Sequence, residues 1–183
     1  GHTGQIKRAV SLLKTAEKPL IIAGGGVSLA AARDLLVQLA DTADIPVVHT
    51  LMGKASFPNS HPLCFGLVGY HGRVESNYAI SNADVILALG TRFGDRSTGP
   101  ISTFAKQARI IHIDIDPAEI SKNVPSYLPI VGDAAQVLQQ LVALVSAARH
   151  GYWVAELRRL AEQHPLRGKN SGVGIPNILR VLR

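Results

Sequence analysis

Apolar residues along this chain recur with two alternating spacings. Between Gln5 and Ala16, Ile6, Val10, Leu12 and Leu13 fall roughly on one helical face, and "KPLIIAGGG" follows as a short apolar run closed by glycines. A run without a polar face is the pattern of a strand covered on both sides in a parallel sheet. Residues 28–43 return to helical spacing through Leu29, Ala32, Leu35, Leu36 and Leu39, and "IPVVHTL" predicts the next strand. The alternation continues with a loop rich in Gly, Pro and Asn, an apolar run at 63–68 and a helix over 72–82. Strands are then predicted at 84–89, in "ARIIHIDID" before Pro117, and in "YLPIVGD". Asp133 stands as an N-cap before the amphipathic "AAQVLQQLVALVSAAR". Apolar strands alternating with helices imply a doubly wound α/β fold, Rossmann-like, with an about six-stranded parallel sheet, right-handed crossovers and helices on both faces.

At 183 residues, 46% of them hydrophobic, the chain has one domain's worth of core and an appendage. Residues 1–148 form the expected domain. After the break at Gly151, "YWVAELRRLAEQHP" is a more polar helix, "LRGKNSGVG" has linker composition, and "IPNILRVLR" begins another helix, so 149–183 read as a basic helix, a linker and the start of a following domain. The opening Gly-His pair, with no initiator methionine, reads as the scar of tag cleavage on a piece cut from a longer chain. The formal charge of +6 is uneven: residues 1–148 hold 12 basic against 11 acidic side chains, and 149–183 hold 7 against 2. The basic tail, with Arg158, Arg159, Arg167 and Lys169, is not interleaved with stacking aromatics, which favours a solvated or partner-facing helix over a nucleic-acid platform. No apolar run reaches the length of a membrane span, and the lone Cys64 excludes an internal disulfide framework, so a soluble, cytoplasmic protein is expected.

Open α/β sheets bind ligands beyond the carboxyl ends of their strands, and the candidate residues cluster there. Gly24, Gly25 and Gly26 lie between the first strand and its helix, where bare backbone admits a diphosphate or simply makes a tight turn. They do not complete GxGxxG, since Leu29 holds the third glycine's place, and no acid closes the second strand. The long segment "TLMGKASFPNSHPLCFGLVGYHGR" bends at Gly53, Gly66, Gly69 and Gly72, while His49, His61 and His71 lack metal-ligand spacing. In "ALGTRFGDRSTG", Arg92 and Arg96 each offer a planar fork for phosphate or carboxylate, and Asp95 could orient one of them or form an exposed salt bridge. Asp114 and Asp116 end another strand on one side; the first suits a ribose hydroxyl and the second a helix cap. No nucleophile or activated base stands beside them, so these residues read as a binding site.

Together "KPLIIAGGGV", "TLMG", "FGLVGYHG", "ALGTRFGDRSTG", "IIHIDIDPAEISKN" and "VGDAAQVLQQL" resemble the central domain of thiamine-diphosphate-dependent enzymes, most nearly the acetolactate synthase large subunit, over residues 4 to about 148. The resemblance implies a middle domain that binds FAD, largely as a structural cofactor, or ADP in its place. Thiamine diphosphate and Mg2+ are then held by the outer domains of the full-length chain, across a homo-oligomer interface. It assigns Gly24, Gly25, Gly26, Thr50, Leu51, Met52 and Gly53 to the flavin lining, and His71 and Gly72 to its surface. Gly90, Thr91 and Arg92 go to its diphosphate, Asp114 and Ile115 to its ribose, and Asp133 and Ala134 to its adenine end. Arg96 matches the arginine that holds the carboxylate of the second 2-keto acid. Gly94, Lys54 and Tyr70 depart from the family pattern, and the last two leave the acceptor acid open. Two other functions stay in view: a stand-alone nucleotide-binding or electron-transfer module and a spacer domain with an empty pocket. The glutamine- and glycine-rich loop of electron-transferring flavoproteins has no counterpart here.

Overall fold

The computed structural model describes residues 3–165. Six strands, β1 (Pro19–Ala23), β2 (Val47–His49), β3 (Cys64–Leu67), β4 (Val85–Leu89), β5 (Arg109–Asp114) and β6 (Leu128–Val131), form one sheet in the order β3-β2-β1-β4-β5-β6. Every pairing is parallel. The fully apolar runs become β1 and β4 at the centre, each buried along its whole length, whereas the edge strand β6 alternates buried and exposed residues.

From β1 the chain first builds outward to β2 and β3, then crosses back to β4 on the other side of β1. Right-handed crossovers in opposite directions place their helices on opposite faces. Helices α1 (Thr3–Thr15), α3 (Arg33–Ala43) and α6 (Ala134–Leu144) pack together on one side; α4 (Val74–Asn82) and α7 (Gly151–Gln163) pair elsewhere. This is the doubly wound architecture expected from the hydrophobic pattern. The reversal of winding falls between β1 and β4, which stay paired to their last residues, Ala23 and Leu89.

Four local expectations are revised. The single helix expected over 28–43 is two: α2 (Gly25–Leu29) starts directly after β1, and Ala31, at φ +50°, turns the chain into α3. Leu29, placed on the buried face by its spacing, is consequently 90% exposed. Helix α6 stops at Leu144 instead of continuing to Arg149, because Val145 is extended and Ala148 N–H bonds the Thr42 carbonyl on α3. The stretch after Asp116 forms turns rather than a helix, with Asp116 accepting from Ala118 N–H at 2.9 Å. The charged loop after β4 contains an unforeseen single turn, α5 (Asp95–Thr98).

The polar helix after Gly151 docks on the same body. Trp153 is buried, donates its indole N–H to the Pro19 carbonyl at 3.0 Å, and carries the Lys18 ammonium 4.8 Å from its ring centroid. Lys18 also pairs with Glu156 at 3.2 Å, and the Tyr78 hydroxyl donates to the other Glu156 oxygen at 2.6 Å. That hydroxyl, ahead of the lysine, holds the Glu156 carboxyl below its usual range. The linker and following helix expected in the last residues of the chain lie outside the described residues. No described helix is long and apolar enough to cross a membrane.

Removing the indole leaves a large cavity and orphans the Pro19 carbonyl, so Trp153→Ala should cost about 3–5 kcal/mol in urea unfolding. A loss under about 1 kcal/mol would mean that α7 is not part of this core.

Candidate functional site

The site is organised where the β1–α2 turn meets the end of β4. Gly24 N–H donates to the Leu89 carbonyl at 2.8 Å and Gly26 N–H to the Gly90 carbonyl at 3.1 Å. A Cβ at Gly24 would stand 2.1 Å from the Gly90 oxygen, and one at Gly90 would stand 2.5 Å from the Gly26 Cα. Gly90 also has φ +54°, a conformation open to glycine at little cost. These glycines therefore have a packing reason of their own: two backbones touch with no room for a side chain.

Beyond this contact opens a cleft of about 170 Å³ between α2, β5 and the N-terminus of α6. Among its lining residues are six of the predicted set: Gly26, Gly90, Asp114, Ile115, Asp133 and Ala134. Exposed Leu29, misplaced by helical spacing, is an apolar wall of the same cleft. Asp114 is buried at the end of β5, and its Oδ1 accepts from Asp116 N–H at 3.0 Å. Asp133 Oδ1 accepts from Gln136 N–H at 3.0 Å, which confirms it as the α6 N-cap.

The remaining predicted residues lie along the same carboxyl edge, outside the cleft. Thr50 N–H bonds the Ala23 carbonyl at 3.0 Å, and Thr50 Oγ1 accepts from Gly53 N–H at 3.2 Å. A Cβ on Gly53 would press within 2.0 Å of the Ala23 oxygen, and one on Gly25 would touch the Met52 side chain at 3.2 Å. Leu51 and Met52 project into solvent, as does Tyr70 beside His71, with ring centroids 5.5 Å apart. The turn holding His71 and Gly72 is tied to the arginine loop, since Tyr70 N–H donates to the Arg96 carbonyl at 2.9 Å. Thr91 is buried, whereas Arg92 and Arg96 are exposed. Asp95 holds neither guanidinium: its Oδ1 accepts from Arg96 N–H at 2.8 Å, and among the described residues neither arginine side chain has an ion-pair partner. The exposed salt bridge considered for this loop is therefore not formed. Of the histidines, His61 pairs with Asp41 at 3.2 Å, away from His49 and His71.

Residues that the sequence did not single out fix these loops. Ser56 Oγ donates to the Gly24 carbonyl at 2.9 Å, Asn77 bonds both backbone groups of Gly69, and Asn123 Nδ2 donates to the Arg92 carbonyl at 2.8 Å. His112 lies fully buried on β5 with Nε2 2.9 Å from the Thr91 carbonyl. Its one sequence signal was a polar residue inside an otherwise apolar strand, a position that demands a partner. Burial is the chief cause that lowers the pKa of both His112 and His49, against hydrogen bonds to the Thr91 and Thr50 carbonyls.

The strand order and the reversal between β1 and β4 give this chain the architecture of the doubly wound, Rossmann-like α/β class. Its sequence matches the family model "Thiamine pyrophosphate enzyme, central domain" over residues 6–141, and the chain belongs to that family. It is 54% identical over 147 residues to the "Probable acetolactate synthase large subunit" of Methanocaldococcus jannaschii, covering 80% of this chain and 25% of that protein. It is 46% identical over 146 residues to the acetolactate synthase isozyme 3 large subunit of Escherichia coli K12, with 80% and 25% covered. It is also 41% identical over 174 residues to the acetolactate synthase of Mycobacterium bovis, with 90% and 28% covered. The chain spans about a quarter of the length of these relatives.

Both buried histidines are held neutral, with folded-state pKa values below the ordinary 6.5. The unfolded chain then binds more protons on the acid side, so their contribution to stability is complete above pH 6.5 and is lost as the pH falls toward the folded values. Unfolding free energy should decline from pH 7 to pH 5, and less steeply in His112→Gln, which removes one of the two groups. An equal slope in that variant would show that His112 does not take part.

Proposed function

We propose that this chain is the central, cofactor-binding domain of an acetolactate synthase-type enzyme, and that its cleft holds FAD or, in its place, ADP. The observation that carries this reading is the convergence of Gly26, Gly90, Asp114, Ile115, Asp133 and Ala134 on one cleft at the switch point of the sheet. The donor set suits a nucleotide. Asp114 Oδ2 takes no hydrogen bond from the described residues and is free to accept from a ribose hydroxyl. Asp133 and Ala134 at the start of α6 would meet the adenine end, and Gly90, Thr91 and Arg92 the diphosphate. Gly24, Gly25, Thr50, Leu51, Met52 and Gly53 would continue the site toward the flavin, with His71 and Gly72 at its far side. Exposed Leu51 and Met52 give a flavin ring or a neighbouring domain apolar surface to cover.

FAD here would act as structural support. Thiamine diphosphate with Mg2+, held by other domains of the full-length chain, would supply the electron sink for decarboxylating one 2-keto acid and condensing it with a second. Arg96, exposed and without an ion-pair partner among the described residues, would hold the carboxylate of that second acid. The domain would work within a homo-oligomer, and by itself it would form no acetolactate from pyruvate even with every cofactor added.

A second reading has its own observation. The backbone contact of Gly24 and Gly26 with Gly90 explains these glycines without any ligand, as a spacer domain would require. Titration separates the two. FAD or ADP at 100 times its dissociation constant should stabilise the chain by about 2.7 kcal/mol, and Asp114→Asn should weaken binding about tenfold. Absence of any stabilisation by either nucleotide would favour the spacer.

The two arginines are separable in the full-length enzyme. Arg92→Ala should weaken flavin binding by about 1.5–3 kcal/mol, with activity returning under excess FAD. Arg96→Ala should leave flavin affinity near wild type and lower kcat/KM for the acceptor acid, and Arg96→Lys should restore little, since an ammonium cannot reproduce a planar fork. Equal flavin loss in both variants, with acceptor use unchanged, would assign the whole loop to the cofactor.

A further inference from the structure

The arginine loop is held in an unusual shape by a residue that lies outside the cleft. Between Gly90 and Gly94 the backbone visits positive φ twice, at Gly90 (+54°) and at Phe93 (+49°), and a bulky aromatic there is strained unless its surroundings hold it. Two side chains reach the loop carbonyls from neighbouring elements: His112 from β5 to Thr91, and Asn123 to Arg92. The His112 ring also packs edge-on against Phe93, with centroids 4.9 Å apart, and Phe93 packs in turn against Phe104 at 5.7 Å. A carbonyl can only accept, so His112 Nε2 must carry the proton, which fixes the neutral ring's tautomer with a bare Nδ1. That Nδ1 is buried and receives no hydrogen bond from the described residues. The ring thus has one directed bond, and the loop backbone receives it. Two residues further along the same strand is Asp114, the ribose candidate.

We infer that His112 is a positioning residue: by donating to the Thr91 carbonyl it fixes the backbone from which Arg92 projects and couples that arginine to the Asp114 end of the cleft. The inference rests on the nucleotide-binding reading above. It concerns no proton transfer, because the Nε2 proton stays on the ring throughout.

The test compares two substitutions in the 183-residue chain. His112→Phe keeps an aromatic ring beside Phe93 and removes the donor, whereas His112→Gln keeps a donor for the Thr91 carbonyl and removes the ring. Calorimetric titration with FAD and with ADP should show affinity about five- to tenfold weaker in His112→Phe and within about twofold of wild type in His112→Gln, even though both variants lose thermal stability. A merely structural histidine would give losses that follow stability instead. Arg92→Ala added to His112→Phe should cost much less than in the wild-type background, since the arginine is already misplaced. Wild-type affinity in His112→Phe, or full additivity with Arg92→Ala, would overturn the proposal. Amide hydrogen exchange at Arg92, Phe93 and Gly94 in ligand-free protein gives an independent readout. Faster exchange in His112→Phe than in His112→Gln supports the clamp, and equal exchange refutes it. If wild type binds neither nucleotide, the cleft reading fails by itself and this exchange result still decides the clamp.

Discussion

The close approach of two backbones at the switch point governs the rest of the molecule. Gly24 and Gly26 on one side and Gly90 on the other meet so closely that a Cβ at any of them would fall within 2.1–2.7 Å of backbone atoms. This contact closes the sheet between β1 and β4 at the level where the chain reverses its winding. It sits where α2 begins, immediately after β1, and the cleft opens just beyond, between α2 and the end of β5. A larger residue would part the strand ends and dissolve the floor of the cleft, so the same atoms that need glycine for packing also create the space that a nucleotide would enter.

Around that contact, the loops are held by side chains that bond backbone rather than one another. Ser56 holds the Gly24 carbonyl, Asn77 holds both polar groups of Gly69, Asn123 holds Arg92 and His112 holds Thr91. Asn77 on α4 and His112 on β5 tie loops to elements, Ser56 and Asn123 tie loops to one another, and the Tyr70–Arg96 bond joins the two loops at the same edge. The backbone is set while the guanidinium groups of Arg92 and Arg96 have no ion-pair partner among the described residues. Side chains free to engage an anion on a fixed frame are what a preorganised site requires, because ordering the frame costs nothing further at the moment of binding.

The opposite demand is met at α7. A helix of polar composition secures itself through one buried tryptophan, an ion pair and a tyrosine hydrogen bond that all converge on Lys18 and Glu156. That convergence lets α7 join the core with few apolar residues; Arg159 stays exposed, and Arg158 reaches back to donate to the Pro62 carbonyl at 3.4 Å. Among the exposed large apolar side chains, Leu51, Met52 and Tyr70 stand on the loops at the carboxyl edge of the sheet, and Tyr152 stands on α7. The loops at the carboxyl edge thereby present apolar surface suited to covering.

Local pattern was sufficient for the sheet and for much of the cleft. Apolar runs four to six residues long, separated by helical spacing, leave a buried parallel sheet as the arrangement that covers every strand, and the ends of those strands then name Gly26, Gly90, Asp114 and Asp133 as neighbours of one edge. Periodicity reports which face of an element is buried, however, and not which distant residue buries it. The break at Ala31 is closed by local bonds from Ala31 N–H to Ser28 and Ala32 N–H to Val27 that apolar spacing does not encode, while the early end of α6 goes with a contact far along the chain, Ala148 with Thr42. For the same reason His112 looked like any polar interruption of a strand. Its meaning depends on Thr91, 21 residues away in sequence and 2.9 Å away in space, a distance that only parallel pairing of β4 with β5 could set.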